Sequence, residues 1–178
     1  MRILGVDPGF ERLGIAIVEK PARNATHSIA GGNKNDKKEA VIFSECFKTS
    51  AKLEFSERLK LIGVEVRKII KNYKPEILAI ETLFLNTNQK TVMRVAEARG
   101  VVIYEAALLG LGIFEASPPQ IKIAITGYGR ANKDQIMKMV KILVKIDKNK
   151  THAKAGQASD DEMDAIAIAL TAFAHNKA

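Results

Sequence analysis

The stretch that most constrains this chain is its first eighteen residues, Met-Arg-Ile-Leu-Gly-Val-Asp-Pro-Gly-Phe-Glu-Arg-Leu-Gly-Ile-Ala-Ile-Val. An apolar run, Ile3 to Val6, climbs to one acid, Asp7; Pro8-Gly9 turns the chain, and a second apolar run, Ile15 to Val18, follows. Short apolar runs divided by a Gly/Pro turn predict two paired strands, with Asp7 at the end of the first and central one. Asp-Pro-Gly is favourable turn chemistry in any hairpin. A carboxylate held rigidly at a strand end is equally well placed to bind a metal. The stretch alone accommodates both readings.

The rest of the chain supplies the layers. Residues 20 to 39 are polar, contain Gly31-Gly32 and predict a loop or an extended hairpin tip. Residues 40 to 47 predict a third strand. Thr49 or Ser50 is placed to cap a helix whose apolar positions, from Phe55 to Tyr73, step by four and three until Pro75 ends it. Residues 76 to 81 predict another strand, apolar without alternation, as in a strand covered on both faces. That strand ends on Glu81. A long helix over 89–109, a strand over 113–116, and a short helix over 120–125 behind Pro118-Pro119 follow. Asn132 with Gln135 opens a helix with a capping box, residues 147 to 158 form a polar linker, and a last helix begins at Asp160. Strands first, then strand–helix alternation, predict an α/β layer fold with a mixed sheet in a single domain over 1–178.

Acids stand where folded chains bury apolar residues. Asp7 and Glu81 each terminate an apolar strand, and Ser159-Asp160-Asp161-Glu162-Met163-Asp164 opens the last helix. Acids in a first helical turn also meet the helix dipole favourably. Ser159 and Glu162 match a capping box, which occupies Glu162. With Asp160 the first helical residue, Asp161 and Asp164 remain, three apart on the face that continues through Ile168. The crowding of Asp160 and Asp161 leaves open which of the two would ligate. Converging carboxylates repel unless protonated or bridged by cations, and oxygen ligands suit Mg2+ or Mn2+. Cys46 is the only cysteine, and the three histidines show no zinc spacing. Four acids around paired metals form an arrangement that hydrolyses phosphodiesters.

Charge agrees with such a substrate. Twenty-eight Lys and Arg against twenty Asp and Glu give +8, favouring a polyanionic partner, nucleic acid before an anionic membrane. No apolar run is long enough to span a membrane. The N-terminus enters a strand at once, so no signal peptide is expected, and a cytoplasmic protein follows.

Five segments in order, Leu4-Gly-Val-Asp-Pro-Gly9, Leu59-Lys-Leu-Ile62, Ala79-Ile-Glu-Thr-Leu-Phe84, Glu97-Ala-Arg-Gly-Val101 and Asp164-Ala-Ile-Ala-Ile-Ala169, run nearly end to end. On them the chain resembles the RuvC family of bacterial Holliday-junction resolvases, in the ribonuclease H-like superfamily. The resemblance implies a ribonuclease H-like, five-stranded mixed sheet flanked by helices, and a homodimer that nicks four-way DNA junctions symmetrically. It implies Mg2+, two ions per site with Mn2+ able to substitute, and a role in recombination and repair beside a branch-migration complex of the RuvA and RuvB type. The family's four acidic ligands fall on Asp7, Glu81, Asp161 and Asp164. Its aromatic falls on Phe84, which beside a cleft would stack on an unpaired base. Its basic positions fall on Lys122 and Lys133, either of which could contact the scissile phosphate. The loop over 20–39 is longer than the family pattern.

Beyond the resemblance, Lys138, Lys141, Lys145 and Lys148 step by three, four and three along the helix that Asn132 opens. Like charges at that spacing repel, so the stripe is read as contacting phosphate. The helix over 89–109 mixes apolar with small residues, which permits close approach to the sheet, to a second subunit, or to both. Three other functions compete: a different ribonuclease H-like nuclease, a non-catalytic junction-binding protein, and an actin-like ATPase domain. The last needs a second Asp-x-Gly hairpin that the chain lacks.

Overall fold

A computed structural model describes residues 1–20, 38–83, 89–146 and 159–175. Their elements are β1 (Arg2–Asp7), β2 (Arg12–Glu19), β3 (Ala40–Lys48), α1 (Phe55–Tyr73), β4 (Ile77–Glu81), α2 (Gln89–Leu108), β5 (Gly112–Ala116), α3 (Pro118–Thr126), α4 (Lys133–Leu143), β6 (Lys145–Ile146) and α5 (Asp160–His175). The sheet runs β5-β4-β1-β2-β3-β6. β1 pairs antiparallel with β2 and parallel with β4, so the sheet is mixed and β1 is central, as expected. It has six strands rather than five, because residues 145–146 pair with residues 40–41 at the far edge.

Each sheet face carries its own helical layer. Leu4, Val6, Ile15 and Ile17 pack against α1 and α2 with Ile62, Val66, Ile69, Ala98 and Val102. On the other face Ile3, Ala16, Val18 and Ala79 meet α5, which α3 and α4 cover in turn. A strand enclosed between two such layers must be apolar on both sides, which accounts for the unbroken run of β1.

α5 is the deepest helix. Its residues from Glu162 to Phe173 are buried except Asp164. Two glycines let it lie this close. A Cβ on Gly5 would stand 2.1 Å from the backbone oxygen of Ala165, and one on Gly14 would stand 2.1 Å from that of Asp161. Alanines at 165, 167, 169 and 172 complete the small-residue seam.

Two predicted boundaries need correction. α1 starts at Phe55 behind Glu54, without a side-chain cap. The Thr49 hydroxyl instead donates to the Phe10 carbonyl and accepts from the Arg58 Nε, so it ties the β1–β2 turn to α1. α4 has the expected Asn132–Gln135 capping box but ends at Leu143, where Val144 is extended. The Lys145 N–H is drawn to the Glu39 carbonyl at the edge of β3. Lys145 therefore leaves the predicted helical stripe, and only Lys138 and Lys141 stay on α4.

Candidate active site at the strand ends

The two strand-end acids meet because β1 and β4 are parallel neighbours with Val6 opposite Ile80. Asp7 and Glu81 are each one residue further along, at the same edge of the sheet. α5 brings Asp164 to that edge through the same close packing that requires Gly5 and Gly14. Asp7, Glu81, Asp164, Lys122 and Lys133 line one pocket of about 270 Å3, floored by Ile121 and Ala167. Lys122 arrives on α3, itself opened by a Ser117–Gln120 capping box. Lys133 is the first residue of α4.

Charge is crowded in this pocket. Burial, then the charges of Asp164, Glu81 and Asp161, push the Asp7 carboxyl up to about 7 from an ordinary 3.8. Glu81 is raised by burial and by Asp164, with Lys122 opposing. Asp164 is raised by burial, although Lys133 lies 3.2 Å from it and pulls the other way. Lys133 also reaches Asp160 at 3.3 Å. Its desolvation is outweighed by those two acids, so its own pKa rises.

Asp161 behaves differently. Burial pushes its carboxyl up, but hydrogen bonds from Cys46 and Arg12 outweigh that and hold it below the usual range. Arg12 donates to Oδ2 through Nε at 2.9 Å and through Nη2 at 2.5 Å, and the Cys46 thiol donates to the same oxygen at 3.2 Å. Asp161 therefore lies on the β2–β3 side of Asp7, outside the pocket lining but close enough to raise the Asp7 pKa. Asp160 is not among the leading causes of that rise, although its charge does raise Asp164. The Asp160 carboxylate is 61% exposed, which separates it from its neighbour.

The capping argument for α5 holds in detail. Glu162 Oε1 accepts the Ser159 N–H at 3.1 Å, and the Glu162 N–H bonds the Ser159 hydroxyl at 3.3 Å. The other Glu162 oxygen accepts from Ser44 on β3 at 2.6 Å. Glu162 thus fastens the first turn of α5 to the sheet and is fully engaged.

The donors available to a metal are carboxylate oxygens, the ligand type that Mg2+ and Mn2+ prefer. Their mutual repulsion, visible in Asp7, is what a bound cation would relieve. Among the described residues no three acids stand ready to hold an ion by protein atoms alone. Mg2+ does not need that arrangement, since it binds through one or two carboxylates and completes its shell with water and substrate phosphate. The residues fit the group.

Among the other expected contacts, Lys138 and Lys141 are exposed on α4, and Lys145 is exposed on β6. Phe84 lies outside the described residues, as does Lys148. Three side chains that touch the acids had no place in the sequence reading. Arg12 and Cys46 reach Asp161 only through the β2–β3 register, in which Gly14 is opposite Cys46. Arg99 donates from Nε to the Glu81 carbonyl at 2.9 Å and pairs with Glu115. In the sequence its segment, Glu97 to Val101, stands out only as a motif.

A family model described as crossover junction endodeoxyribonuclease RuvC matches residues 3–172. The chain is 37% identical over 169 residues to a protein of that name from Thermosipho melanesiensis, covering 95% of this chain and 94% of the relative. Among solved structures it resembles Thermus thermophilus RuvC, with a TM-score of 0.80, 26% identity, and coverage of 99% of this chain and 96% of the other. It resembles equally a structure of the T. thermophilus protein in complex with Holliday junction substrate, with a TM-score of 0.80, 27% identity, and coverage of 99% and 95%.

Proposed function

This chain belongs to the RuvC family of crossover junction endodeoxyribonucleases, and on that premise we propose that it resolves four-way DNA junctions by paired symmetric nicks. The observation that carries the reading is the convergence of Asp7, Glu81 and Asp164 between Lys122 and Lys133 in one pocket. Such a charge pattern suits a phosphodiester and a cation together, and it is costly without them. We read Asp7, Glu81, Asp161 and Asp164 as the ligands of Mg2+, two ions per site, with Mn2+ able to substitute. Bound there, the ions would activate the attacking water and stabilise the departing oxygen.

The protein's own contribution is position and charge. Asp7 and Glu81 sit on neighbouring strands whose ladder fixes their spacing, and Arg99 holds the Glu81 backbone from α2. Lys122 lines the pocket without an acid of its own among the described hydrogen bonds. It is placed to meet a non-bridging phosphate oxygen, where a fixed cation stabilises developing charge. Lys133, the N-terminal residue of α4, can exchange Asp164 for phosphate in the same way. Phe84 is read as the base-stacking aromatic, three residues beyond Glu81.

We also infer a homodimer, since two symmetric nicks need two sites related by a two-fold axis. Leu61, Val64, Met93, Tyr104 and Leu108 on α1 and α2 are exposed, and such side chains would supply the apolar part of an interface if they are contiguous. Partnership with a branch-migration complex of the RuvA and RuvB type, and work in recombination and repair, follow from the family reading. Among the described residues no helix is long and apolar enough to cross a membrane, which agrees with action on cytoplasmic DNA. The one sheet with its two helical layers supports reading the chain as one nuclease domain.

The direct test incubates the protein with a labelled four-way junction, a linear duplex and an RNA–DNA hybrid, with Mg2+ or with EDTA. Paired nicks in the junction alone, absent in EDTA, are expected. Preferred cleavage of the hybrid would instead indicate a different ribonuclease H-like nuclease. Lys138 and Lys141 are read as phosphate contacts on α4. Replacing both with Gln should weaken junction binding and reduce the slope of log affinity against log salt by about two. An unchanged slope would remove α4 from the DNA path.

A further inference from the structure

Arg12 is not one of the residues on which the family resemblance places a function, yet two of its guanidinium nitrogens, Nε and Nη2, donate to one proposed ligand. Both Nε and Nη2 donate to Oδ2 of Asp161, and the Cys46 thiol donates to that same oxygen. The Asp161 Oδ1 takes no side-chain hydrogen bond among those described. Arg12 itself is 53% exposed, whereas Asp161 is 23% exposed. The pair thus joins a fixed acid, locked at the start of the most buried helix, to a cation free to swing into solvent. On the opposite flank Lys133 pairs with Asp160 and Asp164 in the same fashion. The acids of α5 are therefore compensated by side-chain cations, one from β2 and one from α4, where the proposed reaction requires a divalent ion.

We propose that Arg12 acts through Asp161 as an exchangeable counter-ion, neutralising this carboxylate until a divalent cation takes over its charge. Exchange is inexpensive because an exposed ion pair contributes little, while the acid it leaves is kept in place by the α5 packing. Once released, the guanidinium stands at the rim of the site with its donors free, in a geometry that matches a phosphate. This inference rests on the reading of Asp161 as a metal ligand.

Binding of Mn2+ alone, measured by calorimetry without DNA, separates the possibilities. Arg12→Gln removes the competing cation and should tighten Mn2+ binding by roughly fivefold, the equilibrium worth of an exposed ion pair. A merely structural role for Arg12 predicts the reverse, since loss of its support would loosen Asp161 and weaken binding. Arg12→Lys keeps the charge with fewer donors and should fall between. The effect must also pass through Asp161: in an Asp161→Asn background Arg12→Gln should leave Mn2+ affinity unchanged, as a double-mutant cycle requires. Equal tightening in both backgrounds would mean a general field effect and would overturn the proposal, as would weaker binding by Arg12→Gln alone. If Asp161→Asn by itself leaves Mn2+ binding unaltered, the ligand assignment fails first.

Discussion

Asp7→Asn is expected to abolish nicking and, at the same time, to stabilise the metal-free protein at alkaline pH. The first effect follows from its position at the end of the central strand, where it lies next to Glu81 and is charge-coupled to Asp164 and Asp161. If Asp7 is a ligand of the proposed metal-assisted phosphodiester site, its loss should cost roughly three orders of magnitude in rate or more, with junction binding in Ca2+ or EDTA retained. The second effect follows from the acid's raised pKa. Asp7 titrates at about 7 when folded, against 3.8 for an unperturbed side chain. Above pH 7 the carboxyl is ionised in both states, and only the folded state bears the cost of burying that charge and of its repulsion by Asp164, Glu81 and Asp161. As pH falls from 7 toward 3.8 the folded protein takes up the proton first and the penalty is released, so this group makes the wild type more stable on acidification. The interval between the two values bounds the gain at roughly 4 kcal/mol. Thermal melts without metal should show Asp7→Asn several degrees above wild type at pH 8, the difference closing near pH 4. Added Mg2+ should raise the wild-type midpoint at pH 8 and leave the variant nearly unmoved. A variant that melts below wild type at pH 8 would show that Asp7 is not strained by its neighbours.

Gly14→Ala should remove activity by a different route. Its new Cβ would stand 2.1 Å from the Asp161 backbone oxygen and 3.2 Å from the Asp7 side chain. The first neighbour is backbone in a capped helical turn and has no flexible end to yield. α5 must shift outward, carrying Asp161 and Asp164 away from Asp7. Overpacking of this kind costs about 1–3 kcal/mol, occasionally more, while a displacement near 1 Å at a reacting centre can cost on the order of a hundredfold in rate. Gly5→Ala is the informative partner. It makes an equally close contact with the Ala165 oxygen and a further one with the Ala169 Cβ, so it should destabilise the fold at least as much. Activity under conditions where each variant is fully folded, checked by circular dichroism, should fall further for Gly14→Ala per unit of lost stability. Wild-type rates in folded Gly14→Ala would show that α5 is not held at the distance described.

The sequence was most readable where local chemistry and tertiary position coincide. A single acid closing an apolar run can be seen without knowing the sheet, and so Asp7 and Glu81 were identifiable. The Ser159–Glu162 capping box removed one acid from an otherwise ambiguous cluster, and the structure bears out that occupancy. Elements decided by distant partners were not readable in the same way. Val144 to Ile146 continue a plausible helical pattern, yet they become extended because β3 offers an unpaired edge. Thr49 looks like a helix cap in sequence, but the Phe10 carbonyl and Arg58 take its hydroxyl. Arg12 and Cys46 carry no local signal at all. Their meeting at Asp161 depends on strand register and on a helix residue 149 positions beyond Arg12 and 115 beyond Cys46.

The burial of α5 has a consequence for how such an enzyme comes into being. Proteins are synthesised from the N-terminus, and α5 follows every strand and every other helix described. Until it has been made, the sheet face bearing Ile3, Ala16 and Val18 lacks the helix that covers it, and two of the four proposed ligands do not yet exist. A ribosome-bound chain can therefore pair β1 with β2 and assemble α1 over the opposite face while remaining unable to cut DNA. Completion of the core and arrival of the last two proposed ligands therefore coincide, and a chain that still lacks α5 also lacks half of the proposed site.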